Sequence, residues 1–254
     1  LPNVYRSEIL LAPAESGSMR LSGVSQYGGL ASLAGLNLSS GGTNSVSLGL
    51  ARLTSRAFIA DFIKRRDILV DLMALKSWSD EGAEINAEVY DIEKRAWQNE
   101  KPGMQVAYAQ FMSKFSFSQD DRYGTFTIAI SNKSPVLAQQ WVTWLVQDLN
   151  QSIRERDINE SERAIALLKS QIESTSLVGM RSMFFRLIEE QTETILLASV
   201  RSDYLFKVID PAIIPEVKSA PNRALTCILG TLFGGFLSIL IVFLMHFIPR
   251  REDL

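Results

Sequence analysis

Cysteine and histidine are almost missing from this chain, with one of each among 254 residues. The lone cysteine, Cys227, can close no intrachain disulfide and anchor no Cys-based zinc site. The lone histidine, His246, removes His-based triads and most zinc sites from consideration. Excess positive charge is missing too: 26 Lys and Arg face 28 Asp and Glu, a net charge of −2. Nothing is therefore in surplus to neutralise a phosphate backbone, and nucleic acid is not an expected partner. No Gly-x-x-x-x-Gly-Lys-Ser/Thr run occurs, so the backbone cradle that nucleotide hydrolysis needs is absent. Glycoside hydrolysis needs two carboxylates across a cleft. Asp120-Asp121, an acidic doublet outside the predicted helices, sits on a turn where adjacent side chains point apart. These absences lead to the expectation of a non-enzyme with no catalytic residues, no cofactor and no metal.

What is present is apolar: 46% of residues are hydrophobic and 21% charged, enough for one sizeable core. The clearest feature is Ala224 to Ile248, twenty-five residues without Asp, Glu, Lys or Arg. A helix needs about 20 apolar residues to cross a hydrocarbon layer, so a transmembrane helix is expected here. Lys218 and Arg223 before it balance Arg250 and Arg251 after it, and the positive-inside rule leaves its orientation open. Within it, Gly230 and Gly234, with Gly235 adjacent, form a G-x-x-x-G step on which another helix backbone can approach closely. Incidental small residues explain it equally well. His246 has no ionisable neighbour in the run, which favours interfacial packing over proton relay.

Pro211, Pro215 and Pro221 punctuate the segment before the run and hold it extended, as a strap between an outer domain and its anchor or as a plain connector. The start, Leu1-Pro2-Asn3-Val4-Tyr5-Arg6, has none of the marks of a secretory signal and reads as the middle of a longer chain.

Between these ends, Pro135 to about Ser176 reads as one long helix, with Pro135 in the first turn and Val142, Leu145, Leu149 and Ile153 at helical spacing. Its middle interleaves opposite charges, and Arg156 stands one turn from Glu160. Forty-odd residues at about 1.5 Å each reach roughly 60 Å, too far to pack on one small core, so the helix is expected to project. A break at Ser174 to Gly179 precedes a second helical piece ending near Ser199, which follows or caps the first. Another helix is predicted from about Val46 to Leu75. Strands are predicted at Val4 to Ala12, Lys114 to Gln119, Thr125 to Ser131 and Tyr204 to Ile209, with a hairpin turn at Asp120 to Gly124. The expected class is α+β: a membrane-proximal mixed sheet with helices, in which both chain ends return to one sheet, plus one long protruding helix. Gly17 to Ser47, with seven glycines, reads as a loop without assigned structure. Trp78, Trp97, Trp141 and Trp144 are candidates for stacking on sugar rings, but core packing is favoured for each.

Three stretches carry a family resemblance: Leu1 to Pro13, Lys133-Ser-Pro-Val-Leu-Ala138, and Phe206-Lys-Val-Ile-Asp-Pro-Ala-Ile-Ile-Pro215 ahead of a glycine-bearing apolar run. In this order they resemble the Wzz-type polysaccharide co-polymerases, the chain-length determinant family. The resemblance implies a further membrane helix before Leu1 and a periplasmic α+β domain over 1–210. It also implies a strap at 211–223, a membrane helix at 224–248 and a short cytoplasmic tail at 249–254 in the bacterial inner membrane. It implies a homo-oligomeric ring that works with a polysaccharide polymerase, and with the nascent glycan, to set the modal length of O-antigen or a related surface polysaccharide. The family's proline-glycine strap resembles Pro211, Pro215, Pro221, Gly230 and Gly234. It departs at Ala220-Pro221-Asn222, where a serine before and a lysine after the proline are the family's pattern.

Two other readings remain. One is a membrane module partnering a separate tyrosine kinase in capsule or exopolysaccharide export, which would need a docking tail; Arg250 to Leu254 is too short to judge. The other, of a different class, is a bitopic signalling receptor, which would need a cytoplasmic output domain.

Overall fold

The computed structural model describes residues 2–14, 41–79, 82–221, 228 and 231–238. Strand β1 (Tyr5–Pro13) forms because apolar and polar residues alternate: Ser7, Ile9 and Leu11 turn inward while Arg6 and Glu8 face solvent. Its partners come from distant parts of the chain. β6 (Phe115–Asp120) and β7 (Thr125–Asn132) form a hairpin, and β8 (Phe206–Asp210) closes the other edge, for the order β6-β7-β1-β8. Every pairing in this sheet is antiparallel, so the expected mixed sheet is corrected. The reason is topological: β6 and β7 are joined by a tight turn, and β1 and β8 run in opposite senses because both chain ends leave from one end of the sheet. The turn closes at Gly124, whose φ of +63° lies in the left-handed region, beside an Asp120 carboxylate that accepts from the Arg122 N–H.

The helix expected over Val46 to Leu75 is three. α1 (Gly41–Leu53) begins inside the stretch read as a loop, whose residues 17–40 lie outside the described residues. It ends before Ser55, whose hydroxyl accepts from the Phe58 N–H at 3.3 Å and caps α2 (Arg56–Arg65). α2 stops where Asp67 takes a positive φ of 50°, and α3 (Leu69–Ala74) follows. Such breaks are decided by capping and backbone geometry, and apolar periodicity runs through them unmarked.

The strand and helix pieces of 75–114 have no counterpart in the expected elements. They are the small hairpin β2 (Leu75–Ser79) and β3 (Gly82–Ile85), the short pair β4 (Tyr90–Asp91) and β5 (Ala96–Trp97), and α4 (Met104–Lys114). Pro102-Gly103 before α4 is a start signal that could have found that helix.

Helix α5 (Pro135–Ser174) is 40 residues long and begins as the sequence predicts: Ser134 accepts from the Leu137 N–H at 3.2 Å and Pro135 occupies the first turn. Its first half lies on the sheet. Trp141, Val142, Leu145, Val146, Leu149 and Ile153 join Ile9, Leu11, Phe126, Ile128 and Phe206 in one hydrophobic cluster with α2 and α4. Trp141 is fully buried and stacks on Phe111, which meets Phe62 edge to face. On the same helix Asp148 is buried and receives both ends of the Arg66 guanidinium, at 2.6 and 3.2 Å, while Arg66 lies 5.3 Å over the Trp144 ring. These contacts fix α2 against α5. Trp141 and Trp144 are thus packing residues, as favoured.

The second half of α5 leaves the core. After residues 175–177, α6 (Val178–Val200) turns back antiparallel along it, so that Arg154 of α5 reaches the carbonyls of Arg201 and Ser202 just beyond the end of α6. The expected piece that follows or caps the long helix is therefore the returning arm of a helical hairpin. Register places the parts: Tyr5 pairs with Asn132 at the end where the chain ends leave, while Leu11 pairs with Phe126 next to the β6–β7 turn. α5 starts beside the first end and runs past the second, so the helical hairpin and the chain ends lie at opposite poles.

Candidate functional site

Two surfaces could carry function, the strap at one pole and the projecting hairpin at the other, and a group of side chains at the root of α5 joins them. The strap continues from β8 back along β1. The Ser7 hydroxyl donates to the Ile213 carbonyl at 2.7 Å and the Gln139 amide of α5 donates to the Ala212 carbonyl at 3.3 Å. Its end is tied by a bridge: the Val4 N–H donates to the Ala220 carbonyl at 2.9 Å, and the Ser219 N–H to the Val4 carbonyl at 2.8 Å. Residues 211–215 run in neither helix nor strand, and the chain bends at Glu216 and Val217 before the bridge at Ala220.

Of the strap and packing residues singled out from sequence, Pro211 is exposed and lines a groove of about 470 Å³ with Gln139, Thr143, Gln147, Arg154 and Asp203. Pro215 is half-buried, as is Pro221, which follows a cis peptide. Gly234 and Gly235 lie in a helical segment at 231–238, where an added Cβ would meet nothing within 4 Å. Gly230, Cys227, His246 and most of the predicted membrane span fall outside the described residues. Among the described residues no helix is long and apolar enough to cross a membrane.

The root of the hairpin is where sequence reasoning missed most. The Asn150 side chain acts as a surrogate strand against the free edge of β8. Its carbonyl oxygen accepts from the N–H groups of Leu205 and Phe206 at 3.1 and 2.9 Å, and its amide donates to the Phe206 carbonyl at 2.9 Å. One turn on, Arg154 holds the Arg201 and Ser202 carbonyls at 2.6 and 2.7 Å, and the Tyr204 hydroxyl donates to Asp157 at 2.8 Å. Asp157 also pairs with Arg156 at 2.7 Å, and Arg156 with Glu160 at 3.7 Å, the turn-apart pair the sequence predicts. The only sequence hint of this root was an asparagine on the buried stripe of a helix, where its helix propensity is poor.

Burial and the Asp157 bond raise the Tyr204 phenol above its ordinary value of 10.0. Its folded value exceeds its unfolded one, so its stabilising contribution is complete below pH 10 and is lost as pH rises from there toward the folded value, by up to about 1.4 kcal/mol per pH unit. Alkaline titration followed by circular dichroism is therefore expected to destabilise the native protein above pH 10 more steeply than Tyr204→Phe, which has no phenol to ionise. Equal slopes would contradict this. Burial and nearby Lys133 lower Lys114, and burial raises Asp71, each away from the root.

The hairpin itself is thinly packed. Ala198 is the buried residue of α6, while Val178, Met180, Met183, Phe185, Leu196 and Val200 are exposed. Such an area of bare aliphatic and aromatic surface on a two-helix arm is unusual for a monomer in water. Among the described residues no group of three or more His, Cys, Asp or Glu is placed to hold a metal ion.

No protein-family model matches the chain, and neither does any curated protein. Solved structures do resemble it. A fragment of WzzB, a polysaccharide co-polymerase from Salmonella Typhimurium, is 11% identical over 86% of this chain and 100% of its own, with a TM-score of 0.36. A full-length bacterial polysaccharide co-polymerase is 10% identical over 100% of this chain and 89% of its own, with a TM-score of 0.37. The A107P mutant of WzzBSF, a Shigella flexneri lipopolysaccharide O-antigen chain-length regulator, is 9% identical over 85% of this chain and 100% of its own, with a TM-score of 0.28. All three belong to the group that the sequence resembles. At these identities and scores the likeness transfers no residue role.

Proposed function

We propose that this chain regulates the modal length of a surface polysaccharide, O-antigen or a related glycan, as an oligomeric inner-membrane co-polymerase acting with a polymerase. The observation that carries the reading is its two-poled build. The strap, which precedes the charge-free run in sequence, lies at one end of the sheet, and a long helical arm with bare apolar side chains leaves the other. The stretches Leu1 to Pro13, Lys133 to Ala138 and Phe206 to Pro215 supply the family resemblance. On this reading 1–210 is the periplasmic domain, 211–223 the strap, 224–248 the membrane helix and 249–254 a cytoplasmic tail. Pro211, Pro215 and Pro221 shape the strap, and Gly230, Gly234 and Gly235 offer the membrane helix a packing face.

Assembly follows from energetics. An arm of two helices with one buried residue in its returning helix is marginal alone, and neighbouring arms in a closed ring cover its apolar face. The part played by this chain is to present that ring to the growing glycan, with the bond-forming chemistry left to the polymerase.

The test is the glycan ladder on a gel from cells lacking the chain and from cells given it back. The modal cluster of bands is expected to disappear and return while sugar addition continues. Total loss of polymer, or an unchanged ladder, would overturn the reading, and the latter would favour the kinase-partner or receptor alternatives.

A further inference from the structure

We infer that the strap is a lipid-binding element: residues 213–217 lie in the headgroup layer of the bilayer, with Ile213, Ile214 and Val217 inserted toward the acyl chains. The inference rests on the membrane anchoring proposed above and adds a surface to it. Its starting point is an oddity of exposure. Ile213, Ile214 and Val217 are 72%, 52% and 78% exposed, three branched aliphatic side chains within five residues of the strap. In water such a cluster has no reason to stay bare.

Position supplies the occupant. Ser7 holds the Ile213 carbonyl and Val4 bridges Ala220, so the strap runs beside the first residues of β1, toward the end of the sheet from which both chain ends leave. Ser7 is three residues from Val4, a rise of about 10 Å along a strand. The charge-free run begins at Ala224, three residues after Pro221. If that run enters the bilayer, the exposed aliphatics are held within about the thickness of a headgroup layer from its hydrocarbon boundary.

The chemistry of the same pole agrees. Lys218, next to Val217, is an exposed cation at the level of the headgroups. Half-buried Tyr5 adds an amphipathic ring of the kind that settles at a membrane surface. Glu216 is the one acid in residues 211–221. The three prolines fit as well, because each removes a backbone N–H that a water-poor layer would leave unpaired. A second copy of the chain is the rival occupant, and the test separates the two.

The full chain carrying Cys227→Ala is reconstituted in vesicles of neutral and anionic phospholipid, with single nitroxide labels at Ile213→Cys, Ile214→Cys, Val217→Cys or, at the opposite pole, Tyr123→Cys. Tyr123 is 80% exposed. Collision with oxygen, which concentrates in lipid, is compared with collision with a water-soluble nickel chelate. The three strap labels are expected to give an oxygen-to-nickel ratio several-fold above that of the Tyr123 label. Strap labels that match the Tyr123 label, or that are shielded from both reagents as in a protein interface, overturn the inference. Carbonate washing of the same vesicles keeps the two readings apart. A chain released by the wash overturns membrane anchoring and this inference with it, whereas a retained chain with water-exposed strap labels overturns this inference alone.

Discussion

Asn150→Ala is expected to destabilise the protein by about 3–5 kcal/mol, since two N–H groups and one carbonyl lose their partner where water has little access, at roughly 1–3 kcal/mol for each group left unsatisfied. The residue is 6% exposed, and its amide closes the free edge of β8 at Leu205 and Phe206. The measurement is urea denaturation of the detergent-solubilised chain followed by tryptophan fluorescence. Gln147→Ala, at an exposed position one turn away, serves as the comparison and is expected within about 0.5 kcal/mol of the parent. A cost for Asn150→Ala no larger than that of Gln147→Ala would mean that the edge finds other partners. Because this amide also sets how α5 leaves the sheet, the modal glycan bands are expected to broaden in cells carrying the variant if the proposed function holds.

Trp141→Ala is expected to cost about 3–5 kcal/mol, the range for emptying a large aromatic site in a core. Trp141 is fully buried between the sheet and Phe111, with ring centroids 6.2 Å apart. Trp141→Phe is expected to cost under about 1.5 kcal/mol, because a ring is kept and the substitution also removes an indole N–H that is buried without a partner. The same denaturation experiment checks both. Equal losses for the two variants would show that a phenyl ring does not fill the site left by the indole. The contrast matters because packing at Trp141 and hydrogen bonding at Asn150 dock the same helix by different means, so their effects on the arm can be separated.

Much of this arrangement is legible from composition and spacing, and the reason is local in each case. β1 and β7 show their alternation, the turn at Asp120 to Gly124 uses residues that favour turns, and Ser134-Pro135 marks the start of α5 by a cap and a fixed φ. The length of α5 follows from its uninterrupted pattern, and its projection follows from length alone. The three helices between Gly41 and Ala74 are less legible, because Ser55 capping and the positive φ of Asp67 interrupt a pattern that apolar spacing carries straight through. The small hairpin at 75–85 follows α3 directly, with Gly82 and its φ of +122° as the turn signal between two short strands.

By itself the sequence determined that the chain has an α+β class, a long helix leaving its core, a strap of prolines and a charge-free run after it, since each depends on residues near one another in the chain. Only the tertiary structure decided that the sheet is antiparallel throughout, that α6 returns along α5, that Asn150 seals β8, and that the bare aliphatics of the strap share a pole with the chain ends. The last two join residues 55 and 216 positions apart, as with Asn150 and Leu205 or Val4 and Ala220, and no local propensity encodes such a pairing. The pairing arises when distant apolar faces and unpaired backbone groups satisfy one another at once.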